Sequence, residues 1–179
     1  WDLGHRDLRG MPELSSWKKW LIREMYFRLS LSNSRRIITD SVATSNRLNV
    51  LYGVPSDSLV CIGLLPKNLK ASSDPAIVAE DYFLYPAQKW RHKNHATIIK
   101  ALAILNQKKP GLKLVFTGAD KGEGTRISKL VSRLHLGPQV IDMGFVDEAT
   151  LLNLETHAKA ILMPSLLGPT NIPPLDALS

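Results

Sequence analysis

Apolar positions recur along this chain with two periods. Over residues 15–33, Trp17, Trp20, Leu21, Met25 and Leu29 fall three and four apart, which predicts a helix with one apolar face. Lys18, Lys19, Arg23 and Arg28 cover much of the remainder. Ile37-Ile38-Thr39 is a short β-branched run and predicts a strand. Ser41 then reads as the N-cap of a helix running to about Tyr52, with Gly53 as its stop. Leu59-Val60-Cys61-Ile62 predicts another short strand.

Residues 64–80 carry Pro66, Ser72, Ser73 and Pro75 without a clear period, which predicts a linker or crossover. Beyond it, strands and helices alternate. Strands are expected at Tyr82–Tyr85, Leu112–Phe116, Val140–Met143 and Ala160–Met163, with helices over 94–108, 123–135 and 147–158. A last helix begins near Pro173. Such alternation predicts an α/β fold, a Rossmann-like parallel sheet covered by helices on both faces. Ligands of such sheets bind outside the carboxyl ends of the strands, so the loops after each strand are where chemistry is expected.

Composition narrows the class. A hydrophobic content of 44% and a charged content of 22% over 179 residues are those of a globular protein. The lone cysteine, Cys61, excludes a disulfide framework and fits a reducing compartment, so a cytoplasmic setting is expected. No run reaches the roughly 20 apolar residues of a spanning helix. The start at Trp1, without methionine or apolar leader, reads as a chain cut from something longer. A net charge of +7 fits a solvated basic surface or an anionic partner. Nucleic acid is not expected, because no helix-turn-helix, zinc-finger or RNA-recognition pattern accompanies the charge. The basic helix at 15–33 could lie on anionic lipid at the inner face of a membrane, but its Trp and Leu face reads better as core.

The loops supply candidate chemistry. Ala87 to His95 gathers Gln88, Lys89, Trp90, Arg91, His92 and Lys93 at a helix start, a composition suited to gripping a diphosphate, with Lys93 as a compact charge. Gly118 to Gly124 is glycine-rich but is neither a Walker loop nor a full dinucleotide fingerprint, so a phosphate contact and a plain turn are equally open. Pro164 to Asp176 leads through Gly168, Thr170, Asn171 and Ile172 into a helix that starts near Pro173, where free N–H groups suit phosphate. Asp176 could take sugar or ribose hydroxyls, or only offset the helix dipole.

Other chemistries find no support. Zinc is unsupported without His-Glu-x-x-His or paired Cys-x-x-Cys, and a serine hydrolase without Gly-x-Ser-x-Gly. No Asp-x-Asp pair is present to clamp a metal and diphosphate. No metal or cofactor is therefore expected. An oxidoreductase is disfavoured by Ile127, which stands where the third glycine of a fingerprint belongs.

Taken together, the chain resembles glycosyltransferase family 4, retaining enzymes of GT-B fold. The resemblance rests on Trp1-Asp2-Leu3-Gly4-His5-Arg6-Asp7, Ile38-Thr39-Asp40-Ser41, Tyr85 to His95, Thr117-Gly118, Met143-Gly144-Phe145-Val146 and Met163 to Ala177. The Lys93-Asn94-His95 and Gly168-to-Leu175 blocks look like the mannosyltransferase-like branch. The resemblance implies that Lys93 contacts the donor phosphates and that Asp176 takes the ribose hydroxyls; these are the expected catalytic residues. It implies donor contacts from Gln88, Arg91, Gly118, Phe145, Val146, Gly168, Thr170, Asn171 and Ile172, with Phe145-Val146 beside the base. It implies residues 1–63 as the tail of an acceptor lobe, 64–80 as the interlobe linker and 81–179 as an incomplete donor lobe. The implied partners are a nucleotide-diphospho-sugar, GDP-mannose being one candidate, and a glycan or glycolipid acceptor.

The chain departs from the family in places. Gly168 and Asp176 stand where the family has two glutamates. The arginine before the lysine falls near Ala87 or Gln88, leaving Arg91 or Lys89 as substitutes. Trp1 precedes Asp2 where the family often has histidine, and His5 is the candidate replacement on the acceptor side, a packed or solvated histidine being the other reading. A non-catalytic nucleotide-sugar-binding or scaffold module is therefore the alternative expectation. Residues 1–179 alone are expected to transfer little or no sugar.

Overall fold

The structure, a computed structural model, describes residues 3–7, 11, 16–63 and 71–167. It divides into two compact units, one taking in the described residues of Trp1–Pro66 and the other those of Lys67–Leu166.

In the first unit, helices α1 (Gly4–Asp7), α2 (Trp17–Ser32) and α3 (Val42–Tyr52) accompany strands β1 (Ile37–Thr39) and β2 (Leu59–Cys61). The strands pair in parallel, Ile37 opposite Leu59. α3 has the expected caps. Ser41 Oγ accepts from the Thr44 amide at 3.2 Å, and Gly53 takes the left-handed conformation at φ 67° that a chain turning off a helix requires. Leu3, Leu48 and Val54 are buried together, with Phe27, Leu31, Ile37 and Leu59 against them.

α2 forms where the periodicity predicts it but turns another face inward. Trp17, Leu21, Met25 and Leu29 are 69, 51, 56 and 56% exposed, so the core reading of that stripe does not hold here. The inner face carries Glu24, which is buried, with Phe27 and Leu31. The reason is electrostatic. The Glu24 carboxylate accepts hydrogen bonds from Arg6 Nε at 3.0 Å, Arg28 Nε at 2.9 Å and the Tyr52 hydroxyl at 3.0 Å. Arg6 Nη2 makes a further ion pair with it. A carboxylate so satisfied can sit inside, where a polarity pattern would place it outside.

The second unit holds the sheet. Strands β3 (Tyr82–Pro86), β4 (Lys113–Thr117), β5 (Val140–Asp142) and β6 (Ala160–Ile161) alternate with helices α4 (His95–Asn106), α5 (Gly124–Arg133) and α6 (Glu148–His157). All pairings are parallel, in the order β5-β4-β3-β6. Successive side chains of a strand point to opposite faces, and burial follows that rule. Tyr85, Leu114 and Phe116 meet Ile98, Ile99 and Leu102 of α4 and Ile127 and Leu130 of α5 on one face. Tyr82, Leu84 and Val115 meet Leu154 of α6 on the other. Both faces are covered, which is why β3 and β4 read as unbroken apolar runs.

Strand ends differ slightly from expectation. Pro86 is the last residue of β3 rather than its stop, and β6 spans two residues where four are expected. Residues 71–78, read as irregular, are fastened to α6. Asn153, buried at 3% exposure, receives the Ile77 amide at 3.1 Å and donates to the Pro75 carbonyl at 3.0 Å. Thr156 Oγ1 accepts from the Ser72 amide at 2.9 Å.

Candidate functional site

The strand order fixes where a ligand can enter. From β3 the chain steps through β4 to β5, and then β6 is added on the far side of β3. The reversal falls between β3 and β6, and the carboxyl ends of strands at such a reversal are where open parallel sheets bind ligands. Two segments meet there, the loop after β3 and the exit from β6. They are tied by the Leu166 amide donating to the His92 carbonyl at 2.8 Å and by Asn94 Nδ2 donating to the Pro164 carbonyl at 3.3 Å.

The loop after β3 sorts its cations into inner and outer ones. Lys89, a candidate substitute for the missing arginine, is turned inward at 3% exposure. Its Nζ donates to the Gly118 carbonyl at 2.9 Å and pairs with Asp142 Oδ1 at 2.8 Å, so it crosses from β3 to the ends of β4 and β5 and is spent on the fold. Arg91 opens a 3-10 turn over Arg91–Lys93 and is exposed. Lys93 is half-buried, and its ammonium has no hydrogen bond or ion pair among the described residues. Burial pushes its pKa below the usual lysine value, because the charged form has lost water without gaining a partner. Its backbone is pinned, the carbonyl accepting from the Tyr85 hydroxyl at 2.6 Å.

Gln88, one of the two positions near which the resemblance puts an arginine, is exposed, and its Oε1 accepts from the Trp90 indole N–H at 2.9 Å. An indole nitrogen only donates, so the amide NH2 of Gln88 is turned away from Trp90, a neutral donor in place of a cation. Beneath the loop, His95 is buried between Tyr85 and Phe116, with ring centroids 4.7 and 5.0 Å away. No side chain among the described residues hydrogen-bonds either ring nitrogen, and burial holds its pKa at about 4 against a weaker opposing contact from the Ala87 backbone, so the imidazole is neutral at pH 7.

The glycine-rich loop turns out to hold itself together. The Asp120 carboxylate accepts from the Gly122 and Gly124 amides, each at 2.9 Å. It thereby occupies the first amide of α5 and one amide of the turn before it, and these bonds hold its pKa below the usual value. Gly118, expected to contact the donor, has both backbone polar groups engaged inside the protein. Its amide donates to the Gly144 carbonyl at 2.6 Å and its carbonyl accepts from Lys89. Its φ is 100°, and a Cβ there would come within 2.7 Å of the Ala87 and Gln88 backbone. Gly118 is therefore needed for the close passage of two loops.

After β5, Phe145 stands 83% exposed and Val146 is half-buried. Asp147 caps α6 through the Thr150 amide at 2.8 Å. Gly168, Thr170, Asn171, Ile172 and Asp176 lie outside the described residues. His5, the acceptor-side candidate, has no exposed surface; its Nε2 lies 3.3 Å from Glu24 Oε2 and its ring stacks on Phe27. In the structure it is a packed histidine. Among the described residues no three His, Cys, Asp or Glu side chains gather as around a metal ion, and no helix is long and apolar enough to cross a membrane.

Sequence reasoning missed Lys89, Asp120 and Asn94 as organisers of these loops. Only Asp120 left a local signal, an aspartate just before two spaced glycines at a helix start.

The mixed α/β fold with its parallel sheet matches solved structures of GT-B glycosyltransferases. Sucrose-phosphate synthase from Thermosynechococcus elongatus superposes with a TM-score of 0.75 at 22% identity, over 99% of this chain and 46% of that one. Anabaena HepE in complex with UDP and glucose gives 0.68 at 19% identity, over 79% of this chain and 41% of that one. WaaG, a glycosyltransferase involved in lipopolysaccharide biosynthesis, gives 0.68 at 15% identity, over 80% and 41%. The chain thus spans less than half the length of each. A search of curated protein sequences finds no match. The family described as glycosyl transferases group 1 matches residues 70–179, and the chain belongs to it.

Proposed function

We propose that the protein transfers a hexose from a nucleotide-diphospho-sugar to a glycan or glycolipid acceptor, and that the second unit carries the donor site. The observation that carries this reading is the half-buried Lys93 ammonium at the strand reversal, without a partner among the described residues. A cation held there without a counter-ion is favourable once an anion arrives, and a departing nucleoside diphosphate is such an anion. Holding it while the sugar–phosphate bond breaks stabilises the charge that develops on the leaving group. Phe145, an exposed aromatic in the loop after β5, supports this reading as a surface on which a base would stack. HepE, of like fold, was solved with UDP and glucose, which supports a nucleotide sugar as donor.

Retention of anomeric configuration, membership of family 4 and its mannosyltransferase-like branch, and GDP-mannose as donor are the finer parts of this proposal. They rest on the Lys93-Asn94-His95 and Gly168-to-Leu175 blocks. The resemblance likewise gives the donor contacts of Thr170, Asn171 and Ile172 and the ribose contact of Asp176. A non-catalytic nucleotide-sugar-binding module is the second reading, favoured by Gly168 and by the neutral Gln88 where the family has charged residues.

Calorimetry of the full-length protein with UDP and GDP tests the shared core of both readings. Losing one charge-assisted contact corresponds to about ten- to a hundredfold in affinity, so Lys93→Ala is expected to weaken binding by that factor. Undiminished binding by the variant sinks the role given to Lys93. Turnover of a bound nucleotide sugar separates enzyme from module.

A further inference from the structure

We infer that Asn94 is a positioning residue of the donor site, one whose side-chain amide fixes where the chain leaves β6 relative to the Lys93 ammonium. The inference rests on the donor-site reading above, which uses only the lysine of the Lys93-Asn94-His95 block.

Asn94 joins the 3-10 turn to α4 in the left-handed conformation, at φ 58° and ψ 37°. Few L-residues adopt it readily, and asparagine, aspartate and glycine are those that do. Glycine alone would satisfy the backbone; asparagine adds two side-chain bonds. Nδ2 donates to the Pro164 carbonyl at 3.3 Å, and Oδ1 accepts from the Thr97 hydroxyl at 2.9 Å. A carbonyl only accepts, so the NH2 must face Pro164 and the oxygen must face Thr97. The side chain therefore has one orientation, anchored at its far end on α4.

That orientation brackets the lysine. His92 receives the Leu166 amide at 2.8 Å on one side of Lys93, and Asn94 reaches Pro164 on the other. The Lys93 carbonyl is held meanwhile by the Tyr85 hydroxyl at 2.6 Å. Pro164 and Leu166 of the β6 exit are thus fixed against the two neighbours of Lys93, whose ammonium has no partner among the described residues. Displacing that exit changes what the ammonium faces while leaving the sheet intact. A misplacement of about 1 Å is enough to weaken a charge-assisted contact and the chemistry it serves.

Two variants isolate the amide. Asn94→Gly keeps the left-handed backbone and removes both side-chain bonds. Asn94→Asp keeps the backbone and the Thr97 bond but sets a carboxylate oxygen against the Pro164 carbonyl. In the full-length protein, calorimetry with UDP and GDP is run beside thermal unfolding. Both variants are expected to weaken binding about tenfold, which is about 1.4 kcal/mol, with unfolding temperatures near wild type. Asn94→Gly added to Lys93→Ala is expected to weaken it no further, because the amide acts through the lysine. Wild-type protein that binds neither nucleotide overturns the proposed function and this role with it. Wild-type binding that Asn94→Gly and Asn94→Asp leave undiminished overturns the positioning role alone, whatever happens to the unfolding temperature. So does an additive double variant.

Discussion

Glu24 and Phe116 mark the interiors of the two units, and those interiors are built from different chemistry. Around Glu24 the first unit gathers Arg6, Arg28, Tyr52 and His5, so that helices α1, α2 and α3 are joined through one carboxylate. Around Phe116 the second unit packs Tyr85, Ile99, Leu102, Ile127 and Leu130, with one neutral imidazole among them. A small unit with two three-residue strands has little apolar area to bury, and directional bonds to a charge tie its helices together. A four-stranded sheet covered on both faces holds by burial, and its polar groups are free to organise loops at one end.

The largest effect comes from removing each centre. Phe116 is fully buried, and Phe116→Ala is expected to cost about 3–5 kcal/mol. Glu24→Ala strands the buried His5 and part-buried Arg6 and is expected to cost about 3 kcal/mol, the low end for breaking a buried pair because Arg28 keeps its water. Segment-resolved hydrogen exchange should place the first loss in 71–166 and the second in 3–63. Losses spread evenly over both segments would erase the distinction.

Acid comes next, and it separates the units by where each loss ends. Burial pushes the Glu24 carboxyl up, but the hydrogen bonds from Arg6, Tyr52, His5 and Arg28 outweigh it and hold the pKa at about 2 against an ordinary 4.5. Between those values the unfolded chain takes a proton that the folded carboxylate refuses. The stabilisation is therefore complete above pH 4.5 and lost as pH falls through about 2. Burial lowers His95 from 6.5 to about 4, so its contribution to the second unit is lost as pH falls across that interval and changes no further below it. Burial also lowers His5, with the Glu24 bond opposing, so the first unit too loses stability as pH falls below 6.5. From pH 7 to 4 the second unit should lose about 3 kcal/mol, one unit of pKa being about 1.4. Exchange corrected for its intrinsic pH dependence checks this. His95→Phe should abolish that loss; a variant that keeps it would show that other groups titrate.

The same contrast explains what the sequence could say. The sheet unit was legible because its stability lies in periodicity. Ile98, Ile99 and Leu102 recur at helical spacing, and the strands between them are apolar throughout, so pattern and burial agree. The face of α2 was misread because Glu24 scores as solvent-facing wherever its partners are unseen, and Arg6 and Tyr52 lie 18 and 28 positions away. The site divides in the same way. Lys93 stands out by composition and by its place after a strand. The inward turn of Lys89 depends on Asp142, and the grip of Asn94 depends on Pro164, 70 positions on; neither partner is visible until the strands are laid side by side. The glycine loop was ambiguous because Gly122 and Gly124 allow either a phosphate or a carboxylate, and the carboxylate was Asp120.

The smallest effect should be common to both units and so sharpens what differs between them. Each unit has a helix whose N-cap residue closes its first turn, α3 by Ser41 on the Thr44 amide and α6 by Asp147 on the Thr150 amide. Ser41→Ala is expected to cost about 1 kcal/mol, measured by urea unfolding. Asp147→Ala should give a comparable loss, because a cap depends only on a local oxygen and not on the interior behind it. The two should differ in salt. Asp147 also sets a negative charge against the positive end of α6, which ions screen, whereas the Ser41 hydroxyl is neutral. The effect of Asp147→Ala should therefore shrink as sodium chloride is raised to 1 M while that of Ser41→Ala holds. Equal salt dependence would mean that Asp147 acts as a cap alone, and that the difference between the units stops at their interiors.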